Sequence, residues 1–171
     1  MLIEGGEPAE TGPTRRREGL VDSRLVFAEL PGTTREDVLR ELSARIGALG
    51  LVPDPDVLVD RLLEREKLGC TGLGNGIAIP HCKLADLPDV LVAVATTAAR
   101  IDFRAPDGIP VRVLFLVASP AFAAAAHLQA LARISRLLRT PGVVEALREA
   151  HSVERIRDVL REAEAALPVP S

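Results

Sequence analysis

An α/β layer architecture is the fold class this sequence predicts, and three observations predict it. Two near-continuous apolar, β-branched runs, VLVAVATT (90–97) and PVRVLFLVA (110–118), have the composition of strands covered on both faces. Segments with helical periodicity lie before and after them, which is the pattern of helices layered on a sheet. The chain has 171 residues, 47% of them hydrophobic, enough for one domain with one core.

The elements follow in order. Residues 1–22 mix charge with Gly and Pro, have few apolar anchors, and read as a flexible tail preceding a domain at 23–171. SRLVFAEL (23–30) reads as a strand or extended segment. In TTREDVLRELSARIGALG, Thr33 and Glu36 have capping-box spacing, Val38, Leu42, Ile46 and Leu49 recur at helical intervals, and Gly50 supplies the stop. The next helix has Asp54 as N-cap, Pro55 at its first position, Leu58 and Leu62 on its buried face, and Gly69 at its end. A Gly-rich stretch precedes the two apolar strands, which are separated by a turn at Pro106-Asp107-Gly108. After Ser119-Pro120 the chain becomes helical through AAAAHLQALARISRLLR. A short helix starts at Thr140-Pro141, and Ser152 caps a last one ending near Leu167.

Composition excludes several functions. With 21 basic and 24 acidic residues the net charge is −3, without the concentrated basic surface of a nucleic-acid binder. Trp and Tyr are absent and there are four Phe, so base-stacking platforms are not expected. No apolar run reaches membrane-span length, and the first residues lack the apolar core of a signal peptide. Two cysteines, Cys70 and Cys82, do not make a disulfide framework. A cytoplasmic protein is the expectation.

The chemistry concentrates in GLGNGIAIPHCK (72–83). A phosphate-binding P-loop would need a Gly-Lys-Ser/Thr ending, and a dinucleotide fingerprint would need its glycines after a strand and before a helix; neither holds. His81 and Cys82 are adjacent, which makes joint metal chelation with Cys70 awkward. What remains is a histidine beside exposed backbone amides. Gly72, Gly74, Asn75 and Gly76 could form an anion-binding nest, and His81 could then carry a phosphoryl group as nucleophile. His127 sits in the apolar stripe with Leu131, Ile134 and Leu138, which alone reads as a core histidine. Arg65 continues the stripe of Leu58 and Leu62, from which it can reach solvent or point into a cleft.

The run CTGLGNGIAIPHCK, with IDFRAPDGIPVRVLFLVASP and HLQALARISRLLR, resembles the enzyme IIA domains of the fructose–mannitol class of the bacterial sugar phosphotransferase system. The nitrogen-related regulatory IIA proteins belong to the same class. The resemblance covers roughly residues 25–165 and implies a mixed β-sheet flanked by helices on both faces. It implies that His81 accepts a phosphoryl group on Nε2 from the phosphohistidine of an HPr-type carrier protein. It assigns His127 as the second active-site histidine and Arg65, sixteen positions before the acceptor, as the active-site arginine. Cys70 stands where Ser is common, Cys82 where Gly is common, and Arg104 where an acidic residue is frequent. A thiol next to the nucleophile suggests transfer that oxidation would inhibit.

Neutral imidazole is a good nucleophile near neutral pH, and positioning and charge stabilisation dominate phosphoryl transfer between nitrogens. No cofactor and no metal are expected. Three outputs are open: a phosphoryl carrier with regulatory output, a fructose- or mannitol-type IIA of sugar uptake handing on to a separate IIB protein, and a protein-binding regulator with vestigial phosphorylation.

Overall fold

The computed structural model describes residues 19–168. Its elements, after a short 3-10 turn at Ser23–Leu25, are β1 (Val26–Leu30), α1 (Arg35–Ala48), α2 (Pro55–Leu68), β2 (Gly72–Gly74), β3 (Ile77–Ala78), β4 (His81–Lys83), β5 (Leu91–Ile101), β6 (Val111–Ser119), α3 (Ala124–Leu138), α4 (Val143–Arg148) and α5 (Val153–Ala166). The two long apolar runs became β5 and β6. They pair antiparallel at the centre of a six-stranded mixed sheet of order β1-β5-β6-β3-β2, with β4 also on β6.

Helices cover both faces, which is why residues 91–95 of β5 and 113–118 of β6 are continuous apolar runs. Leu39 and Leu42 of α1 and Leu58 and Leu62 of α2 pack with Leu114 and Leu116 of β6. On the other face Ile134 and Leu137 of α3, Leu147 of α4 and Ile156 of α5 pack with Val113, Phe115 and Val117. Each fully buried leucine contributes about 1.5–3 kcal/mol relative to exposure. Among the described residues, no helix is long and apolar enough to cross a membrane.

Local signals mostly act as expected. Asp54 accepts the N–H of Asp56, Pro55 opens α2, and Gly69 closes it. The α1 capping box sits one residue later than the Thr33–Glu36 spacing suggests. Thr34 Oγ1 accepts the Asp37 N–H at 3.1 Å, and Asp37 Oδ2 accepts the N–H groups of both Thr33 and Thr34. Glu36 is drawn away to Arg40 on the next turn. The short helix expected from Thr140 begins at Val143, after Gly142 takes a left-handed φ of 82° that suits glycine. Residues 1–18 of the expected tail lie outside the described residues. The last four do not fit that expectation: Leu20 is buried, and its N–H donates to Glu164 Oε1 on α5 at 2.8 Å.

Candidate functional site

The site grows from one edge of the sheet. β3 and β4 both run parallel to β6 along the same side, Ile77 opposite Val113 and His81 opposite Val117, as one strand interrupted at Ile79-Pro80. Pro80 has no N–H, but its carbonyl still accepts the Val117 N–H at 3.0 Å, so the interruption keeps register. β2 folds back over β3 as a hairpin, with Gly72 opposite Ala78. Among the described residues no strand covers the outer side of β4, so His81 lies on the open part of the edge.

Three elements converge there. Arg65 comes from the last turn of α2, where a cation also complements the helix dipole. Its Nε–H donates to His81 Nε2 at 3.2 Å, and its Nη1 donates to the Gly69 carbonyl at 2.9 Å. His127 comes from the first turns of α3, four residues beyond an N-cap, Ala123, that supplies no capping side chain. Its ring centroid is 5.5 Å from that of His81, at an interplanar angle of 57°. His127 is buried, as its apolar stripe suggests, and its ring also faces that of His81.

The hydrogen bonds define the chemistry of the His81 ring. Nδ1 lies 2.8 Å from the Ile79 carbonyl, which can only accept, so Nδ1 carries the proton. Nε2 is then the unprotonated nitrogen, consistent with its accepting from Arg65. A lone pair with a guanidinium beside it is the arrangement a nucleophile for an anionic group requires. Burial, reinforced by the nearby charges of His81 and Lys83, holds the His127 imidazole below its ordinary pKa. His127 Nδ1 lies 2.5 Å from Ser119 Oγ, at the buried end of β6.

The glycine amides are elsewhere. The sequence reading sets Gly72, Gly74, Asn75 and Gly76 around phosphoryl oxygens, but in the fold they build the β2–β3 hairpin. Asn75 (φ 56°) and Gly76 (φ 80°) form its two-residue turn, both left-handed, as a tight hairpin of this twist demands. That turn is level with Val113, four residues of β6 from Val117, or roughly 13 Å at strand rise. The Asn75 N–H already donates to Asp107 Oδ2 at 2.7 Å, and the Gly72 N–H to Cys70 Sγ at 3.1 Å. A carboxylate at the turn repels the anion that the expected nest would hold. Motif spacing missed this because it could not place Asp107, thirty-two residues on.

Cys82 corrects a second expectation. Its side chain points from β4 into the α1–α2 side of the core, and burial pushes its thiol pKa up to about 12. Ser119, Thr71 and Glu66 were not singled out by sequence. Only their distance to the histidines, or to groups bonded to them, marks them.

A family model for the phosphoenolpyruvate-dependent sugar phosphotransferase system, EIIA 2, matches residues 19–163. The chain belongs to this family, a phosphotransfer component of that system. It is 38% identical over 141 residues to a nitrogen regulatory protein of Bradyrhizobium diazoefficiens, covering 82% of this chain and 92% of that one. It is 41% identical over 138 residues to the fructose-specific EIIA component of Haloferax volcanii, covering 81% and 90%. Among solved structures, the nitrogen regulatory protein IIA-Ntr of Neisseria meningitidis matches with a TM-score of 0.74 at 27% identity, over 82% of this chain and 96% of that one. The mannitol IIA of Escherichia coli shares the fold, with a TM-score of 0.69 at 24% identity over 82% and 98%.

Proposed function

We propose that His81 Nε2 is the phosphoryl acceptor of this phosphotransferase component, with Arg65 and His127 as the groups that stabilise the transferred phosphoryl. One observation carries the reading: the Ile79 carbonyl holds the ring proton on Nδ1, leaving a lone pair on Nε2 beneath the Arg65 guanidinium and beside the His127 ring.

The donor is an HPr-type protein carrying phosphohistidine. The Nε2 lone pair attacks phosphorus in line, the donor N–P bond breaks, and its electron pair returns to the donor imidazole. Arg65 gives up its bond to Nε2 and turns its donors to the equatorial oxygens while remaining tethered to Gly69. His127 donates from the other side, with the first-turn amides of uncapped α3 behind it. The incoming negative charge raises the His127 pKa, opposing the effect of burial. Leu68, Phe122 and Leu128 are 85%, 80% and 66% exposed. They lie one turn past Arg65, just before α3, and next to His127 in the chain, and are the apolar side chains the carrier protein would cover.

A regulatory output is the reading supported by the nitrogen regulatory relatives. Sugar uptake is the second reading, supported by the fructose-specific relative. The test is incubation with phosphoenolpyruvate, enzyme I and HPr, followed by intact mass. One acid-labile, base-stable phosphoryl group is expected, and full labelling of His81→Ala would overturn the assignment. Offering the labelled protein to a fructose-type IIB domain separates the outputs: retention supports regulation, and rapid loss supports uptake.

A further inference from the structure

The bond that fixes the His81 tautomer is the end of a longer chain of contacts. Arg35, at the start of α1, pairs through Nη1 with Glu66 Oε2 at 3.1 Å. The Glu66 side chain is only 2% exposed, an unusual setting for a carboxylate. Glu66 Oε1 accepts the hydroxyl of Thr71, and Oε2 lies 3.5 Å from the Thr71 N–H. The Thr71 carbonyl accepts the Ile79 N–H at 2.9 Å, and the Ile79 carbonyl faces His81 Nδ1 at 2.8 Å.

We propose that Glu66 and Thr71 are positioning residues that hold His81 in its reactive tautomer; this rests on the reading of His81 as acceptor. Ile79 has two covalent neighbours but one adjustable peptide orientation. Pro80 restricts the chain after it, and the Thr71 bond holds its N–H in place. With both fixed, the Ile79 carbonyl has one direction, toward Nδ1. Loosening Thr71 frees that carbonyl to rotate, and the neutral ring can then carry its proton on Nε2. In that form Nε2 has no lone pair to attack phosphorus, and its N–H opposes the Arg65 N–H. The helix itself does not need this carboxylate. α2 is capped by Asp54, opened by Pro55 and closed by Gly69. Arg35 pairs with the buried Glu66 side chain at 3.1 Å, which ties the anchor to the start of α1 as well.

The alternative is a fastening that merely ties α2 to the hairpin. Three full-length variants separate the two: Thr71→Val, which loses the hydroxyl but keeps size and branching, Thr71→Ser, which restores it, and Glu66→Gln. Nitrogen-15 NMR of labelled histidine reads the tautomer directly, alongside thermal melts and initial rates of labelling by phosphorylated HPr. The wild type and Thr71→Ser are expected to hold the proton on Nδ1. Thr71→Val is expected to show mixed tautomers and a labelling rate about ten- to a hundredfold lower, the size of effect seen when ring-orienting partners of metal-bound histidines are lost. Should Thr71→Val keep the Nδ1 tautomer and the wild-type rate while melting earlier, the proposal is wrong and the chain of contacts is structural. If Glu66→Gln does not fold, Thr71→Val decides alone. If the wild type is never labelled, the acceptor reading fails, and the tautomer comparison still judges Glu66 and Thr71.

Discussion

The two halves of one motif do opposite work. In the hairpin half, Gly72 to Ala78, β3 is paired on both sides, by β2 and β6, and the turn is closed by a carboxylate. The edge half, His81 to Lys83, lacks an outer strand among the described residues and faces a guanidinium and a second imidazole. They are contiguous in sequence and lie along the same strand of the sheet. The difference shows that the glycines serve the histidine indirectly. They turn β2 back over β3 so that pairing stops before β4, and the edge stays open at His81. In the proposed reading, the reactivity of His81 comes from groups supplied by α2 and α3.

The strongest way to break this comparison is to disable each half separately. His81→Ala should abolish phosphoryl labelling while leaving the melting temperature close to that of the wild type, because His81 is only half-buried at the edge. Asp107→Ala, at the hairpin turn, should leave the labelling rate unchanged and lower stability. Intact mass and thermal melts on the two variants decide it. A loss of labelling in Asp107→Ala without a loss of fold would return the hairpin amides to the active site.

Next in size are the partners of His81. Arg65→Ala and His127→Ala should each slow transfer by about 10²–10³, as removal of one preorganised donor to a developing anion does. Rapid-quench rates at saturating carrier protein check this. His127 adds a pH signature. Burial, and then the charges of His81 and Lys83, hold its folded-state pKa below the ordinary value of 6.5. The unfolded chain therefore binds a proton first as pH falls. Stability attributable to His127 is complete above the ordinary value and is lost as pH drops through the window between that value and the depressed one. His127→Gln should flatten that part of the stability–pH curve. An unchanged curve would mean that the ring is not held in a desolvated site.

The sequence made the frame of the molecule legible because its signals there are local. The β-branched runs read as strands buried on both faces, and the Asp54-Pro55 start and Gly69 end bracket α2 correctly. The resemblance gathered Arg65, His81 and His127, and the structure brings all three together. What periodicity could not supply was contact between distant segments. Asp107 takes the amide of Asn75, Glu164 holds Leu20, and Glu66 reaches Thr71 past the end of its own helix. In each case a carboxylate captures a backbone or hydroxyl donor that sequence reading leaves free. The false nest came from counting amides without their partners.

A smaller effect tests the hairpin on its own terms. Asp107 accepts the N–H groups of Asn75 at 2.7 Å and Ile109 at 3.0 Å, and these bonds hold its carboxyl below the usual carboxylate range. A depressed carboxylate contributes stability above its unfolded pKa and loses it as pH falls through the folded value, so the contribution disappears only in acid. Asp107→Asn should melt earlier than the wild type at neutral pH, and the two melting temperatures should converge below the ordinary Asp pKa of about 3.9. A gap that persisted in acid would show that packing, and not the ionised carboxylate, holds the turn. Asn75→Ala, which removes the polar side chain that lets asparagine tolerate a left-handed φ, should add a smaller, pH-independent loss.

The smallest expected effect lies next to the nucleophile. Proximity in sequence suggests that Cys82 would make transfer sensitive to peroxide, but strand alternation sends its side chain away from His81. Cys82 packs in the core cluster with Leu84, Leu114 and Leu116, while His81 lies on the opposite side of β4. Burial pushes its thiol up to about 12, and the charge of Arg61 offsets this only in part. The thiolate is the reactive species, so at neutral pH almost none is present. Cys70 is also engaged: its thiol lies 3.0 Å from the Phe103 carbonyl, and its sulfur accepts the Gly72 N–H. Native protein treated with peroxide should therefore keep its labelling rate, and peptide mass analysis should find Cys82 unoxidised. Cys82→Ala should transfer at the wild-type rate and lose about 1 kcal/mol for the vacated volume. Oxidation of Cys82 in protein that remains folded, with a matching fall in transfer, would show that β4 opens far enough to turn its two faces over, and the separation of Cys82 from His81 by strand alternation would have to be abandoned.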